Sequence, residues 1–307
     1  MTTKTNGTIA VVGMFDGVHA GHSFLLRKLK EEGERRGLQP LAITFSNHPL
    51  EIIAPQGGAP ALLSTTAEKT ALIAQNGVMP EVIPFDNNLR LTSANDFLSM
   101  LASRYGVRAM MLGFNNRFGH DAPADFNAYR RLALGHHIDL TMAPELDSDL
   151  GHISSSAIRT LLSCHGDAAT AALMLQRPYT LSGKIAGGKR IGRTIGFPTA
   201  NLVPCDPRKL IPLTGVYAAG ATIADGTTYP AVVNIGHRPT VEGTSSAPLS
   251  IEAHLTGFSG DLYGQQLTLG FIGRIRSEQR FNSIADLRCR IEKDTQEALR
   301  IWHARQR

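Results

Sequence analysis

The apolar pattern of the chain changes character once, at Arg177-Pro178. Before that point short apolar runs alternate with stretches of helical periodicity. Thr8 to Gly13 reads as a strand, and His22 to Arg36 as a helix with Phe24, Leu25 and Leu29 on one face and Gly37 as its stop. Pro40 to Phe45, Glu81 to Phe85, Arg108 to Gly113 and Ile138 to Met142 read as further strands. Thr65 and Glu68 have capping-box spacing and open a helix to Gln75; Ser93 and Asp96 open another that Gly106 closes. Two short helices follow, one beginning near Ser154 and one at Asp167. Alternation of this kind predicts an α/β domain, a Rossmann-like parallel sheet covered on both faces.

After the break the runs are short, β-type and punctuated by Gly and Pro: LSGKIA, GVYAAGATI, YPAVVNIG, LSIEAHL and LTLGFIG. Strands without intervening helices predict a sandwich or a small barrel. A last helix starts at Ser283. Its Ile284, Leu287, Ile291, Ala298 and Trp302 keep near-helical spacing, so one face should dock on the barrel. Two domains are therefore expected, 1–177 and 178–307.

No apolar run approaches the ~20 residues of a membrane span. The run from Ile9 ends at Asp16 and reads as a buried strand, not a leader, so a cytoplasmic location is the expectation. Cys164, Cys205 and Cys289 are far apart and form no C-x-x-C pair, which suggests reduced thiols and no zinc site. The net charge is +5, but the basic residues are scattered and only 6% of residues are aromatic. This disfavours nucleic acid and favours small phosphorylated substrates. Oligomeric state is not legible.

Two stretches carry chemistry. After the first strand comes GMFDGVHAGH, with His19-Ala20-Gly21-His22 at the turn into the helix. Ligands of parallel sheets sit at the carboxyl ends of strands, and a helix N-terminus there offers free N–H groups to an anion. Gly21 lets the backbone approach a phosphate. The two imidazoles can donate to phosphorus-bound oxygens as charge builds. A second helix start, Ile153 to Arg159, sets three serines before an arginine; it reads as an anion site or as a plain cap. In the second half, Gly188-Lys189-Arg190-Ile191-Gly192-Arg193 combines glycines with positive charge. Thr199 and Asn201 alternate with Ala200, so both point one way in an extended segment that Pro198 enforces. Their oxygens are hard donors suited to Mg²⁺. Glu252 shares a strand face with His254, opposite Ile251, Ala253 and Leu255; as a base it would accept a hydroxyl proton, otherwise it is a carboxylate on a wet face.

Together GMFDGVHAGH, TFSNHP (Thr44 to Pro49), LGFNNRFG (Leu112 to Gly119) and ISSSAIR resemble the FMN adenylyltransferase domain of bacterial FAD synthetases, over about residues 8 to 177. The resemblance implies attack of the FMN phosphate on the α-phosphate of ATP, with pyrophosphate leaving. It also implies that Phe15, Asp16, Gly17, His19, Gly21, His22, Asn115, Ser154, Ser155, Ser156 and Arg159 bind that ATP. Asn116 stands where an aromatic residue is usual, and HDAPAD follows Gly119 where glycines and a basic residue are usual. An active kinase joined to an impaired adenylyltransferase is therefore the competing reading. GRTIGFPTAN, Gly215-Val216-Tyr217, VVNIGHRPT, IEAHL, DLYG and RSEQRF resemble the riboflavin kinase signature over nearly all of residues 179 to 294. That resemblance implies a closed barrel with a C-terminal helix, Glu252 as base, Gly188, Lys189, Gly192, Thr199 and Asn201 on ATP, Thr199 and Asn201 on Mg²⁺, and Arg276, Glu278 and Arg280 on the flavin. The implied substrates are riboflavin, FMN and ATP.

Overall fold

The computed structural model describes residues 7–113, 117–187, 196–237 and 249–305. The chain divides into two compact units, Met1–Ser154 and Ser155–Arg307.

In the first unit β1 (Thr8–Val12), α1 (Ala20–Arg36), β2 (Gln39–Phe45), α2 (Leu50–Ile53), α3 (Thr66–Gln75), β3 (Met79–Ile83), α4 (Asn87–Leu91), α5 (Ala94–Tyr105), β4 (Val107–Leu112), α6 (Phe126–Gly135) and β5 (Asp139–Met142) follow one another. The strands are parallel, in the order β3-β2-β1-β4-β5. Strand order therefore reverses beside β1, which is fully buried. Its alternation splits the core into two: Ile9 and Val11 pack with Leu26, Leu29 and Ile73 of α1 and α3, while Ala10 and Val12 pack with Phe97, Leu98 and Leu101 of α5. The capping box at Thr65 and Glu68 is present, and Gly37 and Gly106 close α1 and α5 at φ 66° and 62°. α1 begins two residues earlier than periodicity predicts, because His19 caps it. β3 is shifted similarly; Phe85, expected within it, is instead bonded through its N–H and C=O to the Asn47 side chain at 3.0 and 2.9 Å.

The second unit opens with α7 (Ser155–Thr160), which runs on into a π-helical turn, Leu161–His165, and α8 (Ala168–Leu175), capped by Asp167. These pack within the unit: the Leu213 N–H donates to the Leu162 carbonyl at 2.9 Å, and Ala168 and Ala171 are buried. β6 (Tyr179–Ala186), β7 (Ala200–Pro204), β8 (Gly215–Thr222), β9 (Thr228–His237), β10 (Leu249–Leu255) and β11 (Gln266–Arg276) are antiparallel and close into a barrel in the order β10-β7-β6-β11-β8-β9. Tyr179, Leu181, Leu269, Phe271, Ile251 and Ala253 are buried at alternate positions along their strands. α9 (Ile284–Arg305) covers Val216, Ala218 and Val232 with Ala298 and Ile301.

The buried stripe of α9 differs from the expected one. Ile284 is 69% exposed, whereas Asp294 is 2% exposed. The reason is a charge at the end of β11. Arg276 grips Asp294 from Nε at 3.0 Å and from Nη2 at 2.7 Å, and Arg290 adds a further contact at 3.0 Å. Removing one partner of such a buried pair leaves the other uncompensated and typically costs 3–5 kcal/mol. Asp294→Ala should lower the stability of the second unit by about 3 kcal/mol, read in urea from Trp302, the chain's one tryptophan, which lies on α9. An unchanged midpoint would show that the pair stabilises nothing.

Candidate functional site

The turn between β1 and α1 sits at the carboxyl edge of the sheet, beside the reversal of strand order, where open α/β sheets bind ligands. Its backbone is unusual. Phe15, Gly17 and Val18 lie at φ 48°, 79° and 38°, and a positive φ is costly for any residue with a Cβ, most of all a β-branched one. Asp16 is 2% exposed. Its carboxylate accepts from the Leu63 N–H at 3.0 Å, the Ser64 N–H at 2.9 Å and the Ser64 hydroxyl at 3.1 Å, and the same hydroxyl accepts from the Gly17 N–H at 2.8 Å. The expected nucleotide contact of Asp16 thus meets a carboxylate already engaged in holding the turn.

His19 is the N-cap of α1: its Nδ1 accepts from the His22 N–H at 3.4 Å. An accepting Nδ1 leaves the proton on Nε2. The His22 ring stacks on that of His19 with centroids 3.7 Å apart, and Phe15 meets it edge-on at 5.1 Å. Gly21 belongs to the same packing: a Cβ there would stand 3.3 Å from the His19 ring. Burial, followed by the neighbouring His19 and Lys69, holds His22 well below the ordinary imidazole range, so it is neutral at pH 7. Its Nδ1 is buried without a hydrogen-bond partner, the condition of a polar group that serves something other than the fold.

Lys69, absent from the sequence reading, is buried on α3 and donates to the Phe45 carbonyl at 2.8 Å. Burial pushes its ammonium down to about 8, against a smaller opposing pull from Asp16. Of the remaining expected residues, Ser154 ends the first unit, Ser155, Ser156 and Arg159 belong to α7 in the second, and Asn115 lies outside the described residues. The unusual HDAPAD loop has a packing role. The Asp121 carboxylate accepts from the Ala94 N–H at 2.7 Å, at the start of α5, and the His120 N–H donates to the Thr92 carbonyl at 3.0 Å.

On the barrel, register gathers the second group. Glu252 of β10 pairs with Asn201 of β7 on one side and Asn234 of β9 on the other. Directly opposed residues share a face, so the carboxylate stands between two amides. The burial alternates as expected: Ile251, Ala253 and Leu255 are buried while Glu252 and His254 are half-buried. Likewise Thr199 is exposed, Ala200 buried and Asn201 half-buried. His254 fixes the approach to β7, with Nδ1 2.9 Å from the Pro198 carbonyl and its ring 5.3 Å from that of Phe197. A carbonyl only accepts, so Nδ1 carries the proton. Asn234 went unassigned in the sequence although it stands in the VVNIG run. Arg276 is occupied by Asp294, whereas Arg280 is exposed. Glu278 lies over Gly236, where a Cβ would stand 1.8 Å from its Oε1; only glycine leaves room for that approach. Gly188, Lys189 and Gly192 lie outside the described residues.

The FAD synthetase family model matches residues 1–157 and the riboflavin kinase family model residues 175–302. The bifunctional riboflavin kinase/FMN adenylyltransferase of Escherichia coli (strain K12) is 36% identical over 290 residues, covering 94% of this chain and 90% of its own. Relatives with the same description in Pseudomonas fluorescens and Bacillus subtilis are 35% and 34% identical, over 94% and 96% of this chain and 91% and 92% of theirs. A crystal structure from Streptococcus pneumoniae, described as a macrolide-efflux protein, is 26% identical with TM-score 0.82, covering 94% of this chain and 93% of that one; among the described residues no helix is long and apolar enough to cross a membrane. With both halves matched and the relatives aligned nearly end to end, the chain belongs to the bifunctional riboflavin kinase/FMN adenylyltransferase family, whose members phosphorylate riboflavin to FMN and adenylylate FMN to FAD.

Proposed function

We propose that the two reactions use separate sites: adenylyl transfer at the β1–α1 turn, and phosphoryl transfer on the outer face of β7, β10 and β9. The observation that carries the first is the partnerless, buried Nδ1 of neutral His22 beside a helix N-terminus. There the FMN phosphate attacks the α-phosphorus of ATP and pyrophosphate leaves. N–H donors aimed at oxygens on which charge builds favour that transition state. His19, whose Nδ1 is used in capping, donates from Nε2. Ser154 remains our candidate for the triphosphate within the first unit, and Ser155, Ser156 and Arg159 remain ATP-binding candidates carried by the second. Nothing among the described residues favours an impaired first domain, since the altered loop serves to seat α5.

The Asn201–Glu252–Asn234 row carries the second site. Glu252 accepts the proton of the riboflavin primary hydroxyl as its oxygen attacks the γ-phosphorus of ATP, and ADP leaves. The donor set fits Mg²⁺: hydroxyl, amide and carboxylate oxygens are hard ligands, and Mg²⁺ takes few of them while keeping waters and substrate phosphates. Among the described residues no group of three His, Cys, Asp or Glu side chains could hold a metal ion. When bound there, Mg²⁺ would draw charge off the phosphoryl oxygens, held by Thr199 and Asn201. Glu278 and Arg280 are the remaining flavin candidates. We place the functional boundary at Arg177-Pro178, with α8 packing on the barrel.

Two substitutions separate the sites. Glu252→Gln should cut riboflavin phosphorylation by ~10²-fold or more and spare FMN adenylylation; His22→Ala should cut FMN adenylylation by ~10²-fold or more and spare the kinase. Chromatography of FMN and FAD reads both, and a variant that loses both activities together would refute the assignment. Lys69 gives a third expectation. Below about pH 8 its ammonium is charged in folded and unfolded chains alike, so its burial destabilises in full; between about 8 and 10.5 the folded chain loses the proton first and the penalty fades. Lys69→Met should therefore stabilise the protein by about 2 kcal/mol at pH 7, allowing for the orphaned Phe45 carbonyl, and by much less at pH 10.5. Denaturant unfolding at the two pH values checks it; a variant less stable than the wild type at pH 7 would contradict the expectation.

A further inference from the structure

The geometry points to Ser64 as a positioning residue for adenylyl transfer, acting through the Gly17 N–H and Asp16 to hold the β1–α1 turn in the strained form that aims His19, His22 and the α1 N-terminus. This rests on the reading of that turn as the adenylyl-transfer site. Three residues of the four from Phe15 to Val18 have positive φ, and two of them are not glycine. Each such residue costs of order 1–3 kcal/mol and persists only where its surroundings over-determine it. What over-determines this turn comes from far along the chain: Ser64 is 48 residues from Asp16 and 47 from Gly17. Its hydroxyl makes both links, donating to the Asp16 carboxylate and accepting from the buried Gly17 N–H.

The two links are unequal in consequence. Asp16 keeps the Leu63 and Ser64 N–H groups when the hydroxyl is removed, so the segment before α3 stays attached. The Gly17 N–H loses the buried 2.8 Å bond to that hydroxyl, a net loss of about 0.5–1.5 kcal/mol. The turn can relieve that cost, and its backbone strain, by relaxing. Relaxation moves Val18 and the His19 cap directly after it, and with them the ring stack of His19 on His22. Positioned catalysis is sensitive to such shifts: a misplacement of about 1 Å can cost ~10²-fold.

The test is Ser64→Ala in the full chain. FAD formation from FMN and ATP should fall 10- to 100-fold on the same basis, with the loss in kcat and the KM for FMN changed little. Riboflavin phosphorylation by the same protein should be unchanged. In a His22→Ala background the same substitution should cost clearly less than it does alone, because one of the groups it positions is already gone. Full multiplication of the two losses overturns the proposal, as does a Ser64→Ala protein that loses FAD formation only in step with unfolding of its first unit by circular dichroism. If His22→Ala leaves FAD formation intact, the site itself is misread. If His22→Ala abolishes it while Ser64→Ala keeps the wild-type kcat, the site stands and the positioning role falls.

Discussion

A carboxylate cannot be taken out of water without hydrogen bonds to replace the lost solvation, and Asp16 sits at 2% exposure immediately after the central strand. Its donors come from Leu63 and Ser64. Much of the first unit's chemistry is set by that demand. The segment before α3 must lie against the β1–α1 turn, which places Lys69 on the inner side of α3. The turn must accept left-handed backbone at Phe15 and Val18, and in return α1 begins at His19 with two imidazoles stacked at its end. Burial then removes the charge from His22 and leaves it neutral.

The second unit reaches its chemistry by register. Its barrel is filled by apolar side chains, so reacting groups have only the outer face. On that face α9 covers Val216, Ala218 and Val232, whereas the Asn201, Glu252 and Asn234 rung carries the polar groups. A one-residue slip of β10 would turn Glu252 into the core, so a correctly packed barrel and a correctly placed carboxylate are the same condition. On the proposed reading one chain handles ATP with two unrelated devices, a helix end at the rim of a parallel sheet and a polar rung on a closed antiparallel one.

Local rules were legible and distant pairings were not. The Thr65–Glu68 box, the αL stops at Gly37 and Gly106, and the in-out alternation around Glu252 all depend on neighbours within a few residues, and each is present as read. The H-x-G-H motif marks a helix start, though periodicity alone places that start two residues late because imidazole is an uncommon cap. Ser64 looks like an ordinary loop serine until Asp16 is brought to it. Asn234 gains meaning only from the strand opposite. Asp294 breaks the apolar stripe of α9, and the stripe alone gives no hint that Arg276 will be waiting beneath it.

The central claim is that both transfers run in this one chain, in series and at distinct places. A time course of the wild-type protein with riboflavin, ATP and Mg²⁺, resolving riboflavin, FMN and FAD by chromatography, addresses it directly. The account predicts that FMN appears first and FAD follows, and that FMN supplied alone with ATP is converted to FAD without riboflavin. FMN accumulating with no FAD, from either starting flavin, would contradict it.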